Sequence, residues 1–76
     1  MRFNGKTLKK LREKKGWSLR QFVDLVNADY PKITYQTLSN YEYNIVNKFD
    51  TILLMRFANI LGVQFIVFFD RERGDV

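Results

Sequence analysis

Apolar residues recur at helical spacing along most of this chain, and the breaks between the runs divide it into short helices. Leu8 and Leu11 mark the first, expected over about residues 6–15. Lys9, Lys10, Glu13 and Lys14 fall mostly outside its stripe, and Gly16 suits the left-handed residue that ends a helix. A second helix opens at Ser18. Ser18 and Gln21 have the spacing of a capping box, in which hydroxyl and amide satisfy backbone N–H groups reciprocally. Trp17 and Phe22 flank that cap as a hydrophobic staple, and Phe22, Leu25 and Val26 are expected to face inward. The polar stretch 27–32 contains Pro31, which disfavours helix at Tyr30. It reads as a loop of roughly five or six residues, a usual length between helices. Thr34 caps a third helix with Ile33 and Leu38 as its staple, and Leu38 and Tyr41 turned to the core. After an irregular stretch, 43–47, Asn47 is expected to cap a fourth helix with Asp50 in its first turn. Leu54, Phe57, Ala58 and Leu61 follow the spacing of a core-facing stripe, and Gly62 ends it. The apolar run 64–69 reads either as a β-strand or as a short fifth helix. The charged tail, 70–76, is expected to fray.

Composition narrows the chemistry. With 76 residues and 46% apolar content, the chain suits one small folded domain, its core at about residues 6–69. It has neither cysteine nor histidine. That removes disulfides, thiolate metal sites, the usual general base and the commonest metal ligand. The carboxylates form no obvious pair, so no catalytic residue, metal, cofactor or small-molecule ligand is expected. The net charge of +5 favours an anionic partner: DNA, RNA or an acidic membrane surface. No apolar run approaches the ~20 residues of a membrane span. The opening residues, Met1 to Gly5, lack an apolar signal region, so a cytoplasmic location is expected with no membrane partner.

Several spaced residues now carry a resemblance. Leu8-x-x-Leu11-Arg12, Gly16-Trp17-Ser18, Thr34-x-x-x-Leu38-x-x-Tyr41-Glu42 and Leu54-x-x-Phe57-Ala58-x-x-Leu61-Gly62-Val63 occur in order. The set resembles the phage repressor and Cro type of helix-turn-helix domain (XRE-like) over roughly residues 6–69. The resemblance implies an all-α fold: a compact, lambda-repressor-like bundle of four to five helices. It also implies an architectural ion pair between Arg12 and Glu42, where the plain reading is two solvated charges. Leu61 to Phe69 resembles the family's turn into its final helix, which favours the helical reading of that segment. Ile66 and Val67 stand where similar sequences are usually polar. Exposed branched apolar residues there suggest a partner face. Two features depart from the pattern. The 27–32 loop is longer than the family's tight turn by about five residues, which costs little in closure entropy. Leu19 stands where many members carry a polar residue that touches the DNA backbone.

In such domains the third helix enters the major groove N-terminal end first. Gln36 and Asn40 share one face of it, and each amide can pair bidentately with adenine N6 and N7. Tyr35 and Thr37 flank them, with the Thr37 methyl suited to a thymine methyl; Ser39 and Tyr43 complete the base-reading set. On an isolated helix these would be ordinary surface residues. Phosphate contacts are expected from Ser18 at the start of the second helix, and from Arg20, Asn44 and Lys48. Lys9, Lys10, Lys14 and Lys15 read as a solvated face that raises general attraction to phosphate. One small domain makes few base contacts. The expected partner is therefore a pseudo-palindromic double-stranded operator, bound by a homodimer or by a heterodimer with another repressor-like protein. Ile66, Val67 and Phe69 are the candidate dimer contact, although the phenylalanines also suit the core. Two functions stay open: a sequence-specific regulator, Cro-like or repressor-like, or an antirepressor or modulator that binds another helix-turn-helix repressor through the C-terminal apolar face.

Overall fold

The computed structural model describes residues 2–29, 32–46 and 48–70. The elements run β1 (Arg2–Phe3), α1 (Gly5–Lys14), α2 (Leu19–Val26), α3 (Tyr35–Glu42), α4 (Thr51–Leu61), a 3-10 turn (Phe65–Phe68) and β2 (Phe69–Asp70). The fold is mostly helical, as the apolar pattern predicts, and is the lambda-repressor-like bundle that the resemblance implies.

Side chains of the preceding residues set each start. Asn4 accepts from Lys6 N–H, and Thr34 from Thr37 N–H. Ser18 makes both bonds of its capping box: its hydroxyl accepts from Gln21 N–H at 3.1 Å, and its own N–H donates to Gln21 Oε1 at 2.8 Å. Gly16 and Gly62 take positive φ values of 79° and 72° after α1 and α4, as their places in the sequence predict.

The core is centred on Leu8, Phe22, Val26, Leu38, Leu54, Phe57 and Phe68, all fully buried. Aromatic edges lock it: Phe22 lies 5.5 Å from Phe57, and Tyr41 meets Phe57 edge-on at 5.6 Å. Trp17 stacks on Phe22 at 6.0 Å, which is the predicted staple.

Four expectations need correction. The cap of α4 is Asp50, not Asn47: its carboxylate accepts from Ile52 and Leu53 N–H at 3.0 and 3.2 Å. Asp50 N–H in turn donates to the Tyr41 hydroxyl at 3.1 Å, so a core residue selects the start point. Asn47 lies outside the described residues, as do Tyr30 and Pro31 of the long loop and the tail 71–76. Leu25 is 39% exposed, and Val23 takes the inward place beside Phe22 and Val26. Helix α1 begins at Gly5 rather than residue 6, because Gly5 N–H donates to Asn44 Oδ1 at 2.8 Å. A side chain at Gly5 would collide with the Tyr41 and Glu42 carbonyl oxygens, so the start of α1 rests directly on the end of α3.

The fourth correction concerns the C-terminal apolar run. It forms one 3-10 turn and then a strand, so each of the two readings holds over part of it. Strand β2 pairs antiparallel with β1, Arg2 opposite Asp70 and Phe3 opposite Phe69. Asp70, expected to fray, is held there by Asn4 Nδ2 at 3.1 Å. Phe3 is buried against Tyr41, Phe49, Phe68 and Phe69, which anchors the ribbon to the core.

Candidate nucleic-acid interface

Helices α2 and α3 pack against each other, with α1 against α3 and α4 behind α2. The connection between α2 and α3 is long but tied at its ends. Asn27 Nδ2 donates to the Ile33 carbonyl at 2.8 Å, and Ile33 N–H donates back to Asn27 Oδ1 at 2.7 Å. This paired contact brings the chain to the Thr34 cap from a fixed direction. Lys32 Nζ adds a bond to the Asn27 carbonyl at 3.0 Å.

Helix α3 presents Tyr35, Gln36 and Tyr43 to solvent, while Thr37, Ser39 and Asn40 are half-buried. Gln36 Nε2 donates to Asn40 Oδ1 at 2.9 Å. That bond leaves Gln36 with its carbonyl oxygen and one N–H, the acceptor and donor that adenine N6 and N7 require. It also holds the two amides in one orientation before any ligand arrives. The Thr37 hydroxyl stays near its own cap, 3.2 Å from Thr34 Oγ1. Tyr43, 63% exposed, lies at the other end of the helix, with Lys9 Nζ 5.7 Å from its ring centre. A lysine of the α1 face therefore reaches the end of α3.

At the opposite end, Arg20 of α2 crosses to α3. Its Nε donates to the Tyr35 hydroxyl, and its guanidinium lies 5.7 Å from the Tyr35 ring centre. The hydrogen bond from Arg20 to the phenol, with a smaller electrostatic contribution from the same tyrosine, raises the Arg20 pKa above its ordinary value. Ser18 spends an Oγ lone pair on its cap but keeps a hydroxyl proton to donate.

The remaining phosphate candidates are placed differently. Lys48 is exposed between α3 and α4. Asn44 takes a left-handed φ of 59°, and its side-chain oxygen is committed to Gly5 N–H. It therefore ties α1 to α3, whatever else it touches.

Arg12 and Glu42 meet in a buried bidentate pair, Nε to Oε2 at 2.7 Å and Nη2 to Oε1 at 3.1 Å. Arg12 Nη1 also donates to the Trp17 carbonyl at 2.7 Å. One guanidinium thus joins α1, the turn into α2 and the last residue of α3. The C-terminal face is less uniform than its sequence suggests. Ile66 and Val67 are 48% and 41% exposed, but Phe69 is half-buried against Phe65 and Phe3. Pairing in the ribbon turns Phe69 inward.

Two features escaped the sequence reading. Arg56 Nη2 donates to the Val26 carbonyl at 2.9 Å and to the Leu25 carbonyl at 3.3 Å, closing the end of α2 from α4. Ile52 and Met55 stand 65% and 56% exposed on the outer side of α4. Among the described residues, no group of three or more Asp, Glu, His or Cys gathers where a metal ion could bind, and no helix is long and apolar enough to cross a membrane.

Two short capped helices, the second showing paired amides to solvent and clamped from behind by an ion pair, define a helix-turn-helix unit. A family model described as helix-turn-helix matches residues 8–68, and the chain belongs to that family, in its XRE type. Among solved structures the chain is similar to SinR, described as the master regulator for biofilm formation and solved in complex with DNA. That likeness has a TM-score of 0.73 at 23% identity, covering 87% of this chain and 97% of SinR's. A second structure, of a SinR protein/SinI protein complex, gives a TM-score of 0.75 at 21% identity, over 95% of this chain and 65% of the other. Identities this low establish a shared fold. No curated protein matches the sequence.

Proposed function

We propose that this chain is a sequence-specific, DNA-binding transcription regulator that inserts α3 into the major groove of a double-stranded operator. The observation that carries the reading is the Gln36–Asn40 amide pair, bonded at 2.9 Å on the solvent side of α3. Membership of the helix-turn-helix family supports it, as does SinR, a relative in fold that was solved on DNA. In this account Tyr35, Gln36, Thr37, Ser39, Asn40 and Tyr43 face the bases. Ser18, Arg20, Asn44 and Lys48 face phosphates. Ile66 and Val67, with part of Phe69, join two copies on a pseudo-palindrome, so that each reads one half-site. The protein works in the cytoplasm, and its action is binding, with no catalytic step.

A modulator that captures another repressor has the exposed Ile66 and Val67 in its favour, and SinR itself was solved with a protein partner. It gives no role to the Arg20–Tyr35 contact or to the amide pair, so the regulator is the better account. Selection from a random duplex pool at moderate salt tests the choice. Enrichment of a discrete half-site is expected. No enrichment, combined with capture of a purified repressor of the same family, would replace the regulator with the modulator.

A further inference from the structure

Leu19 is the first residue of α2; it is half-buried, packs against the core and lines a cleft between α2 and α3. The cleft has a volume of about 390 Å³, opens to solvent and is lined by Ser18, Leu19, Arg20, Tyr35, Gln36 and Ser39. Carbon makes up most of its lining surface. The Leu19 side chain offers a phosphate no hydrogen bond, so a phosphate at this end of α2 would be held by Ser18, Arg20 or the free N–H groups of the helix start. A methyl group there would lose nothing.

We propose that this cleft receives the C5 methyl of a thymine, so that Leu19 is a specificity-determining residue. The proposal rests on the reading of α3 as the major-groove helix. Gln36 forms one wall of the cleft and has the donor and acceptor for adenine. The thymine paired with that adenine carries its methyl on the same groove edge, beyond O4. An apolar surface beside Gln36 therefore meets a methyl when the base pair is A·T and lacks one when it is G·C. Arg20, which also lines the cleft and is held by Tyr35, supplies the positive charge that draws the strand's backbone to this end of α3. Leucine at residue 19 thus exchanges a backbone contact for a base contact.

The experiment uses the full chain and its selected half-site, with each thymine replaced in turn by deoxyuridine. Binding is measured by equilibrium gel shift at fixed salt. At one thymine the wild-type protein is expected to bind the uracil duplex about fourfold more weakly, the effect of one buried methyl. Leu19→Ala and the size-matched Leu19→Gln are expected to bind both duplexes equally. The size-matched Leu19→Met, which keeps an apolar side chain, is expected to retain the sensitivity and serves if the other variants fail to fold. A selected half-site at which no thymine is sensitive overturns the cleft while leaving the regulator intact. Sensitivity that survives in folded Leu19→Ala or Leu19→Gln assigns the methyl to Thr37 and also overturns it. Absence of any selected site removes both proposals together.

Discussion

Among the described residues, two arginines bridge to α3, and they do so in opposite ways. Arg12 is 6% exposed, and three of its nitrogens are committed to Glu42 and the Trp17 carbonyl. Arg20 is exposed and commits one nitrogen to a neutral phenol. A charge removed from water must find its partners within the fold, because an unpaired buried ion is costly. A charge left in water keeps donors for a ligand. The same residue type therefore serves architecture behind α3 and recognition in front of it, and burial decides which.

The largest way to break this comparison is on the buried side. Glu42→Ala leaves Arg12 uncompensated and is expected to cost about 3–5 kcal/mol, enough to unfold a domain this small or nearly so. Replacing both residues by apolar ones of similar volume should be less damaging than Glu42→Ala alone. Urea unfolding of the variants measures both. If Glu42→Ala melts like the wild type, the clamp is not holding the fold.

On the exposed side the expectation reverses. Tyr35→Phe removes only the hydroxyl that holds Arg20. Stability should change by about 0.5 kcal/mol or less, as for most surface substitutions, while affinity for every duplex falls several-fold. A variant that loses stability and keeps its affinity would make this contact architectural after all. The smallest effect belongs to Lys48→Ala. It should weaken all sequences alike and lower the slope of log affinity against log salt by about 1. A change of base preference would contradict its assignment to phosphate.

What could be read from the sequence follows the same division between local and distant causes. Ser18 with Gln21, Thr34 before α3, and Gly16 and Gly62 after their helices act within a turn or two of chain, and each stands where the spacing predicts. The α4 cap did not, because Asn47 and Asp50 are both competent and the choice lies with the distant Tyr41 hydroxyl. The β1–β2 ribbon joins residues at opposite ends of the described chain, and no local signal marks it. The apolar run 64–69 has no clear period, which is why a turn and a strand could share it. At the candidate interface, helical spacing put Gln36 and Asn40 on one face. Their mutual hydrogen bond, the pairing of Arg20 with Tyr35 and the capture of the Asn44 side chain by Gly5 all depend on tertiary placement.

The central claim is that α3 reads bases through Gln36, and a base-preference matrix for Gln36→Ala tests it most directly. Affinities of wild type and variant are measured for every single-base change in the selected half-site, at one salt concentration. The account predicts that discrimination relaxes at one position, by about 1–3 kcal/mol, and is unchanged at the others. A uniform loss across all sequences, with the matrix keeping its shape, would show that Gln36 does not read a base.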